Sequence, residues 1–130
     1  MRSGSRDPER VHEKLRELLR EISHLSAVVV VEGPRDVEAL RLIGFDGRIE
    51  ICSRVNVSDF DLAESLKAKA PSVVLLTDFD KEGKRLNRHL KRLLELRGVK
   101  VEAGLRRRLG TLMAAIGIYV IEALDDALLA

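Results

Sequence analysis

Apolar residues are grouped along this chain in two alternating patterns. The short runs of β-branched and aliphatic residues at 27–31 and 73–77 predict strands that are buried on both faces of a parallel sheet. Segments with apolar residues every three or four positions predict the helices between them. The predicted helices are 8–24, 35–43, 58–70, 82–97, 104–115 and one from 122, and the other predicted strands are 48–52, 99–101 and 116–120. This alternation predicts an α/β fold: a compact, mostly parallel sheet of about four strands, flanked by helices on both faces, with an added N-terminal helix.

The chain has the size of one domain with one core, since it has 130 residues of which 45% are hydrophobic. We expect residues 1–26 to be an N-terminal tail and helix packed on the domain. Residues 27–130 are then the α/β domain with a C-terminal helical extension. The absence of a bilayer-spanning apolar run and of a signal-peptide pattern predicts a soluble, cytoplasmic protein. The single cysteine, Cys52, excludes an intrachain disulfide and a cysteine-based zinc site.

Acidic residues directly follow the two apolar runs. Glu32 follows the first run, and Asp78 and Asp80 follow the second. Because ligands bind at the carboxyl ends of strands in an open α/β sheet, we expect these three carboxylates to meet at one edge. Converging carboxylates repel one another unless a cation lies among them, and Mg²⁺ prefers oxygen ligands. The alternative is that such residues only cap the helices that follow, with no metal involved.

Further residues around these acids have two interpretations each. Gly33 and Gly83 permit close approach of the backbone where a strand turns into a helix. Asp36 and Glu82 are candidates for outer carboxylates around a metal, or for ligands of a second metal. Both equally fit first-turn helix positions, where negative charge is favourable.

The two acidic motifs together resemble the Toprim family, the catalytic domain shared by type IA and type II topoisomerases, bacterial-type primases and certain nucleases. The residues that carry the resemblance are Val31-Glu32-Gly33-Pro34 and Asp78-Phe79-Asp80-Lys81-Glu82-Gly83. It covers 27–101 and implies a Rossmannoid fold in which Glu32 is a general acid or base or a metal ligand. It further implies that Asp78 and Asp80 hold Mg²⁺, with Mn²⁺ as the alternative ion.

Within that family the chain is most similar to small stand-alone Toprim proteins and to the ribonuclease that matures small ribosomal RNA precursors. The segment 118–122 is loosely similar to a late segment of that ribonuclease, which contains a glutamate. The chain departs from the topoisomerases and primases of the family. Its one tyrosine, Tyr119, lies in an apolar segment, and primase accessory modules do not fit in 130 residues.

Basic residues are concentrated after the second acidic motif, where residues 84–108 hold ten Lys or Arg against two acids. On the predicted helix they form one stripe of Lys84, Arg85, Arg88, Lys91 and Arg92. Such a stripe usually only solvates an exposed face. Here it begins one turn after the acidic motif, so we expect it to contact nucleic-acid phosphates. Of the three arginines at 106–108, at most two can join this patch. Arg54 is a further candidate phosphate contact, and a loop residue without a role is an equal alternative.

These features predict a Mg²⁺-dependent protein that acts on nucleic-acid phosphodiesters, either a nuclease or an RNA- or DNA-processing phosphotransfer domain. The alternative is a non-catalytic nucleic-acid-binding or adaptor module that retains the metal site. The expected partner is RNA or DNA rather than a membrane. The helix at 8–24 either covers the sheet or offers a surface for a homodimer or a larger processing complex.

Overall fold

A computed structural model describes residues 7–52 and 58–129 of the chain. Their helices are α1 (Pro8–Ser23), α2 (Pro34–Leu42), α3 (Asp59–Lys69), α4 (Lys81–Leu96), α5 (Ala103–Ala115) and α6 (Leu124–Leu129), with a 3₁₀ turn at Ile121–Ala123. Their strands are β1 (Ala27–Val31), β2 (Arg48–Ile51), β3 (Ser72–Leu75) and β4 (Lys100–Val101). The four strands are all parallel and form one sheet in the order β2-β1-β3-β4. The predicted α/β class, parallel sheet and strand number are confirmed.

The two apolar runs form the central strands because both of their faces are buried. Successive side chains of a strand point to opposite faces, so the run divides between two layers of core. Val29 and Val74 face the layer that contains α1, α2, α5 and α6. Val28 and Val73 face the layer that contains α3 and α4. β1 and β3 are therefore neighbours in the sheet, and the residues that follow them leave the sheet at the same edge.

The N-terminal helix covers part of the first of these layers. Asp7 caps α1 with its side chain, and Pro8 occupies the first helical turn, as the sequence predicted. The buried residues of α1 are Val11, Leu15, Leu18, Leu19 and Ile22. They belong to the same core as the sheet and contact α5. The proposed division of the chain after residue 26 stays a prediction.

The prediction of a last strand at 116–120 is wrong. Gly117 has φ of +73°, which turns the chain sharply after α5. The N–H of Ile118 then donates to the carbonyl of Met113 at 3.0 Å, so the segment folds back onto the helix end. An apolar run predicts a strand only where an open sheet edge accepts it, and this segment has packed against α5 instead. Within the described residues, no helix combines the length and apolar character needed to cross a membrane.

Candidate metal centre

The two acidic motifs meet at the carboxyl edge of the sheet, at the ends of neighbouring strands. The N–H of Asp78 donates to Oε2 of Glu32 at 2.7 Å, although 46 positions separate the two residues in sequence. Both side chains are partly buried. The parallel pairing of β1 with β3 produces this contact, since it places the ends of both strands side by side.

Asp78 lies where negative charge is crowded. Burial raises the pKa of its carboxyl to about 6, and the negative charges of Glu32, Asp36 and Asp80 act in the same direction. Its Oδ1 accepts a hydrogen bond from the N–H of Ile121 at 2.9 Å, which acts against this rise. Its other oxygen, Oδ2, has no hydrogen-bond partner in the described part of the chain. A cation at this position would relieve the repulsion that disfavours the charged form.

Two of the other acids cap helices, as the alternative interpretation expected. Asp80 precedes α4, and its Oδ1 accepts from the N–H of Gly83 at 2.8 Å. Asp36 is buried in the first turn of α2 and accepts from the N–H of Gly33 at 3.1 Å. Burial raises the pKa of Asp36, and the charges of Glu32 and Glu122 add to this rise.

Glu82 remains exposed and forms an ion pair with Arg85. Across 7–52 and 58–129, no group of three His, Cys, Asp or Glu side chains is gathered so that it could hold a metal. The three predicted ligands Glu32, Asp78 and Asp80 are thus neighbours whose side chains are not preassembled as one coordination set, because Asp80 is turned toward its own helix.

The donor atoms nevertheless fit Mg²⁺. This ion keeps several of its waters and usually takes only one or two direct carboxylates from the protein. Glu32 and Asp78 supply two hard oxygen donors at adjacent positions, in a region of concentrated negative charge. Mn²⁺ accepts the same oxygen ligands.

Gly83 allows α4 to approach the Asp78 loop closely. A Cβ atom at this position would lie 2.0 Å from the backbone oxygen of Asp78, which is far inside contact distance. The buried hydroxyl of Thr77 donates to the carbonyl of Gly83 at 2.7 Å and holds the two segments together. The predicted role of Gly83 in a close approach is therefore visible in the geometry, whereas a Cβ at Gly33 would meet nothing within 4 Å.

A buried arginine of α5, Arg106, holds the loop that contains Asp78 through hydrogen bonds to its backbone. The sequence had indicated this residue only as one of the three arginines at 106–108. Arg106 is only 8% exposed. Its guanidinium donates to the carbonyls of Leu75 at 3.0 Å, Thr77 at 2.7 Å and Asp78 at 3.1 Å. It also stacks at 4.3 Å from the ring centre of Phe79. Burial lowers the pKa of Arg106 to about 10, and the negative charges of Glu32 and Asp78 oppose this shift, so the group stays charged at neutral pH.

A sequence signal for this burial existed. Arg106 shares the buried face of α5 with Leu109 and Met113, at spacings of three and seven residues. Of the three arginines at 106–108, which were expected to give at most two members to the basic patch, Arg107 is exposed and borders the groove between α4 and α5, whereas Arg108 pairs with Glu21 of α1.

The segment that follows α5 also reaches the acidic loop. The N–H of Phe79 donates to the carbonyl of Tyr119 at 2.7 Å, and Ile121 donates to Asp78 as described above. Glu122 lies near enough to Asp36 to raise its pKa. The segment 118–122, which the sequence linked only loosely to the ribonuclease, therefore borders the site.

The cations of the predicted basic stripe border three different depressions of the surface. Lys84, Arg88 and Lys91 line a groove between α4 and α5. Arg85 instead lines a cavity of about 390 Å³ that also contains Glu32 and His89. Arg92 borders a third, open depression with Arg88 and Lys91. Arg54 lies outside the described residues.

Comparison with known proteins agrees with this geometry. The Toprim domain model matches residues 26–103, which include both acidic motifs. This chain belongs to the Toprim family. A Toprim domain is a metal-binding fold associated with nucleic acids, so the predicted family and this general character are confirmed.

Several archaeal proteins, all named UPF0292, are similar to this Toprim chain. The protein of Methanosarcina acetivorans is 34% identical over 100 residues, covering 75% of this chain and 68% of its own length. The protein of Thermococcus onnurineus is 35% identical over 98 residues, covering 75% and 71%. The Methanocaldococcus jannaschii protein is 33% identical, covering 75% and 77%.

A solved structure of an Aquifex aeolicus protein is also similar to this Toprim chain. The two structures align with a TM-score of 0.64 at 26% sequence identity, over 88% of this chain and 94% of the other. Since the alignment covers most of both chains, the similarity extends beyond the matched residues 26–103.

Proposed function

We propose that this Toprim protein is a Mg²⁺-dependent enzyme that cleaves or transfers nucleic-acid phosphodiesters. The observation that carries the proposal is the 2.7 Å contact between Glu32 and the backbone of Asp78, within a crowded group of carboxylates. Cationic residues of α4 begin one turn away, where they can bind phosphates of a nucleic-acid backbone. Asp78 would hold the Mg²⁺, with Asp80 near it, and Glu32 lies beside them as the candidate general acid or base.

Each residue then has a definite task. Bound Mg²⁺ would supply Lewis-acid polarisation of a phosphate oxygen. Glu32 moves a proton as general acid or base, and the N–H of Asp78 fixes its carboxylate in position. Arg106 keeps the Asp78 loop in place through three backbone carbonyls. Asp80 caps α4 and thereby fixes the start of the helix that carries Lys84 and Arg88.

The test uses Asp78→Asn, because the amide oxygen of Asn can still accept from the N–H of Ile121. We expect Mn²⁺ binding, measured by calorimetry, to weaken by at least about tenfold. Cleavage of labelled structured RNA, single-stranded DNA or supercoiled plasmid should fall with it. Glu32→Gln should lower the cleavage rate by about 10²–10⁴-fold, the usual share of a general acid or base.

The matched control is Asp46→Asn, which removes an exposed carboxylate on another part of the surface. It should bind Mn²⁺ and cleave like the wild type. If Asp78→Asn also keeps both properties, the assignment of the metal centre is wrong.

A second candidate function is a non-catalytic nucleic-acid-binding or adaptor module. The observation in its favour is that Asp80 and Asp36 already serve as helix caps. Salt-sensitive binding of nucleic acid with no turnover in Mg²⁺ or Mn²⁺ would support this module against the enzyme. A cytoplasmic location and a homodimer or larger processing complex stay predictions.

A further inference from the structure

A groove of about 550 Å³ runs between α4 and α5 and begins beside the acidic loop. Its floor is formed by Phe79 and by the guanidinium of Arg106, which stack on each other at 4.3 Å. Tyr119 lines the groove and is 50% exposed. Phe79 lies between Asp78 and Asp80 in sequence, so the floor of the groove belongs to the same loop as these two candidate ligands, although neither carboxylate lines the groove itself.

The groove is strongly cationic. α4 contributes Lys84, Arg88 and Lys91, which share one helix face at spacings of four and seven residues, and α5 contributes Arg107. No acidic residue of the described chain lines it. Lys91 pairs with Glu95 at 3.2 Å, whereas the other three have no acidic partner among the described residues. Unpaired cations lining a groove favour a polyanion.

The shape and the exposed ring favour a single strand over a duplex. The α5 wall contains the small residues Ala103, Gly110 and Ala114. A Cβ atom at Gly110 would lie 2.6 Å from the ring of Phe79, so a larger residue would disturb the floor. In a duplex the base faces are covered by stacking, whereas an unpaired base can stack on an aromatic side chain such as Tyr119.

The length of the cationic wall sets the size of the bound segment. Lys84 and Lys91 are seven residues apart on α4, which at 1.5 Å per residue is about 10 Å. A stacked strand advances about 3.4 Å per nucleotide, so the wall spans about three nucleotides.

We propose that the groove between α4 and α5 binds a single-stranded segment of RNA or DNA and leads it to the metal centre. The phosphates lie on Lys84, Arg88 and Arg107, and one base stacks on Tyr119. The inference rests on the proposed function and adds to it the form of the substrate and its path.

Base stacking is tested by fluorescence anisotropy in EDTA, with labelled single strands of about ten nucleotides, in RNA and DNA form, and the matching duplexes. We expect the wild type to bind at least one single strand more tightly than its duplex. Tyr119→Ala should weaken single-strand binding by about tenfold and duplex binding by less than about twofold, and Tyr119→Phe should restore it. Equal or tighter binding of both duplexes, or an unaltered Tyr119→Ala variant, would overturn the proposal.

The phosphate contacts are tested with two double variants that each remove two positive charges. Lys84→Gln with Arg88→Gln removes two groove cations, whereas Arg10→Gln with Arg20→Gln removes two exposed cations of α1 that do not line the groove. The groove pair should reduce the slope of log affinity against log salt by about 1.4, since each single-strand phosphate contact contributes about 0.7. The control pair should change the slope by less than about 0.5. Equal effects of the two pairs would rule out the groove as the binding path.

Failure of the groove and failure of the proposed function give different results. If Asp78→Asn abolishes metal-dependent cleavage while the groove variants bind strands like the wild type, the groove proposal is wrong and the proposed enzymatic function is supported. If the groove variants lose binding while Asp78→Asn cleaves normally, the groove stands and the metal centre is wrong. A wild-type protein that binds no nucleic acid overturns both.

Discussion

Arg106→Met tests whether the buried guanidinium holds the acidic loop in place. Methionine keeps an unbranched, apolar side chain against Phe79 but removes the donors to the carbonyls of Leu75, Thr77 and Asp78. A buried carbonyl that loses its partner costs about 1–3 kcal/mol. Because the structure can partly relax around each of the three carbonyls, we expect the free energy of unfolding to fall by about 3–5 kcal/mol. This is a large part of the 5–15 kcal/mol that is typical of a domain.

The assay is urea unfolding followed by far-UV circular dichroism, with thermal melts in parallel. For a chain of this size, about 3–5 °C corresponds to 1 kcal/mol, so the melting temperature should fall by about 10–20 °C. Arg106→Lys keeps a positive charge but not the planar set of N–H donors, and its unfolding free energy should fall by about half as much as that of Arg106→Met. Arg107→Met, at the exposed neighbouring position, should stay within about 0.5 kcal/mol. An Arg106→Met protein within about 1 kcal/mol of the wild type would refute the reasoning.

Two other predictions concern the same loop. Gly83→Ala should destabilise the protein by at least about 2 kcal/mol in urea unfolding, because its Cβ would overlap the backbone of Asp78. The control Gly33→Ala should stay within about 1 kcal/mol of the wild type. Equal losses of unfolding free energy in the two variants would contradict this prediction. The pKa of Asp78 is raised from 3.8 to about 6 in the folded state, so the metal-free folded protein binds more protons than the unfolded chain between these values. The unfolding free energy of the wild type in EDTA, relative to Asp78→Asn, should therefore fall as the pH rises through this window, and a pH-independent difference would exclude a raised pKa.

The sequence predicted the central part of the site because two features of the chain are enough to determine the geometry there. Two runs of β-branched residues had to form buried parallel strands, and the residues after neighbouring parallel strands share an edge. The contact between Glu32 and Asp78 follows from those two statements. The predicted helix end at 97 also agrees with α4, which ends at Leu96, shortly before Gly98 turns the chain with φ of +82°.

Other features depended on partners that are distant in sequence. Arg106 is buried because β3 and the loop after it, 28 to 31 positions earlier, supply three carbonyl acceptors. A run of arginines does not reveal such acceptors. Asp80 fitted both a metal ligand and a helix cap by its position alone, and in the structure its side chain caps α4. The segment 116–120 has the composition of a strand, but Gly117 turns it back onto α5.

The contacts of the Asp78 loop show that residues beyond the Toprim match contribute to the structure around the candidate site. The Toprim match stops at residue 103, yet Arg106, Tyr119 and Ile121 supply several of the hydrogen-bond partners of residues 75–79. The end of the Toprim match therefore separates the second acidic motif from some of the residues that hydrogen-bond to its backbone. A fragment cut at that boundary would contain both acidic motifs but lose the hydrogen bonds that Arg106, Tyr119 and Ile121 make to residues 75–79. In this chain the residues that hydrogen-bond to the second acidic motif extend at least to Ile121, in the 3₁₀ turn before α6.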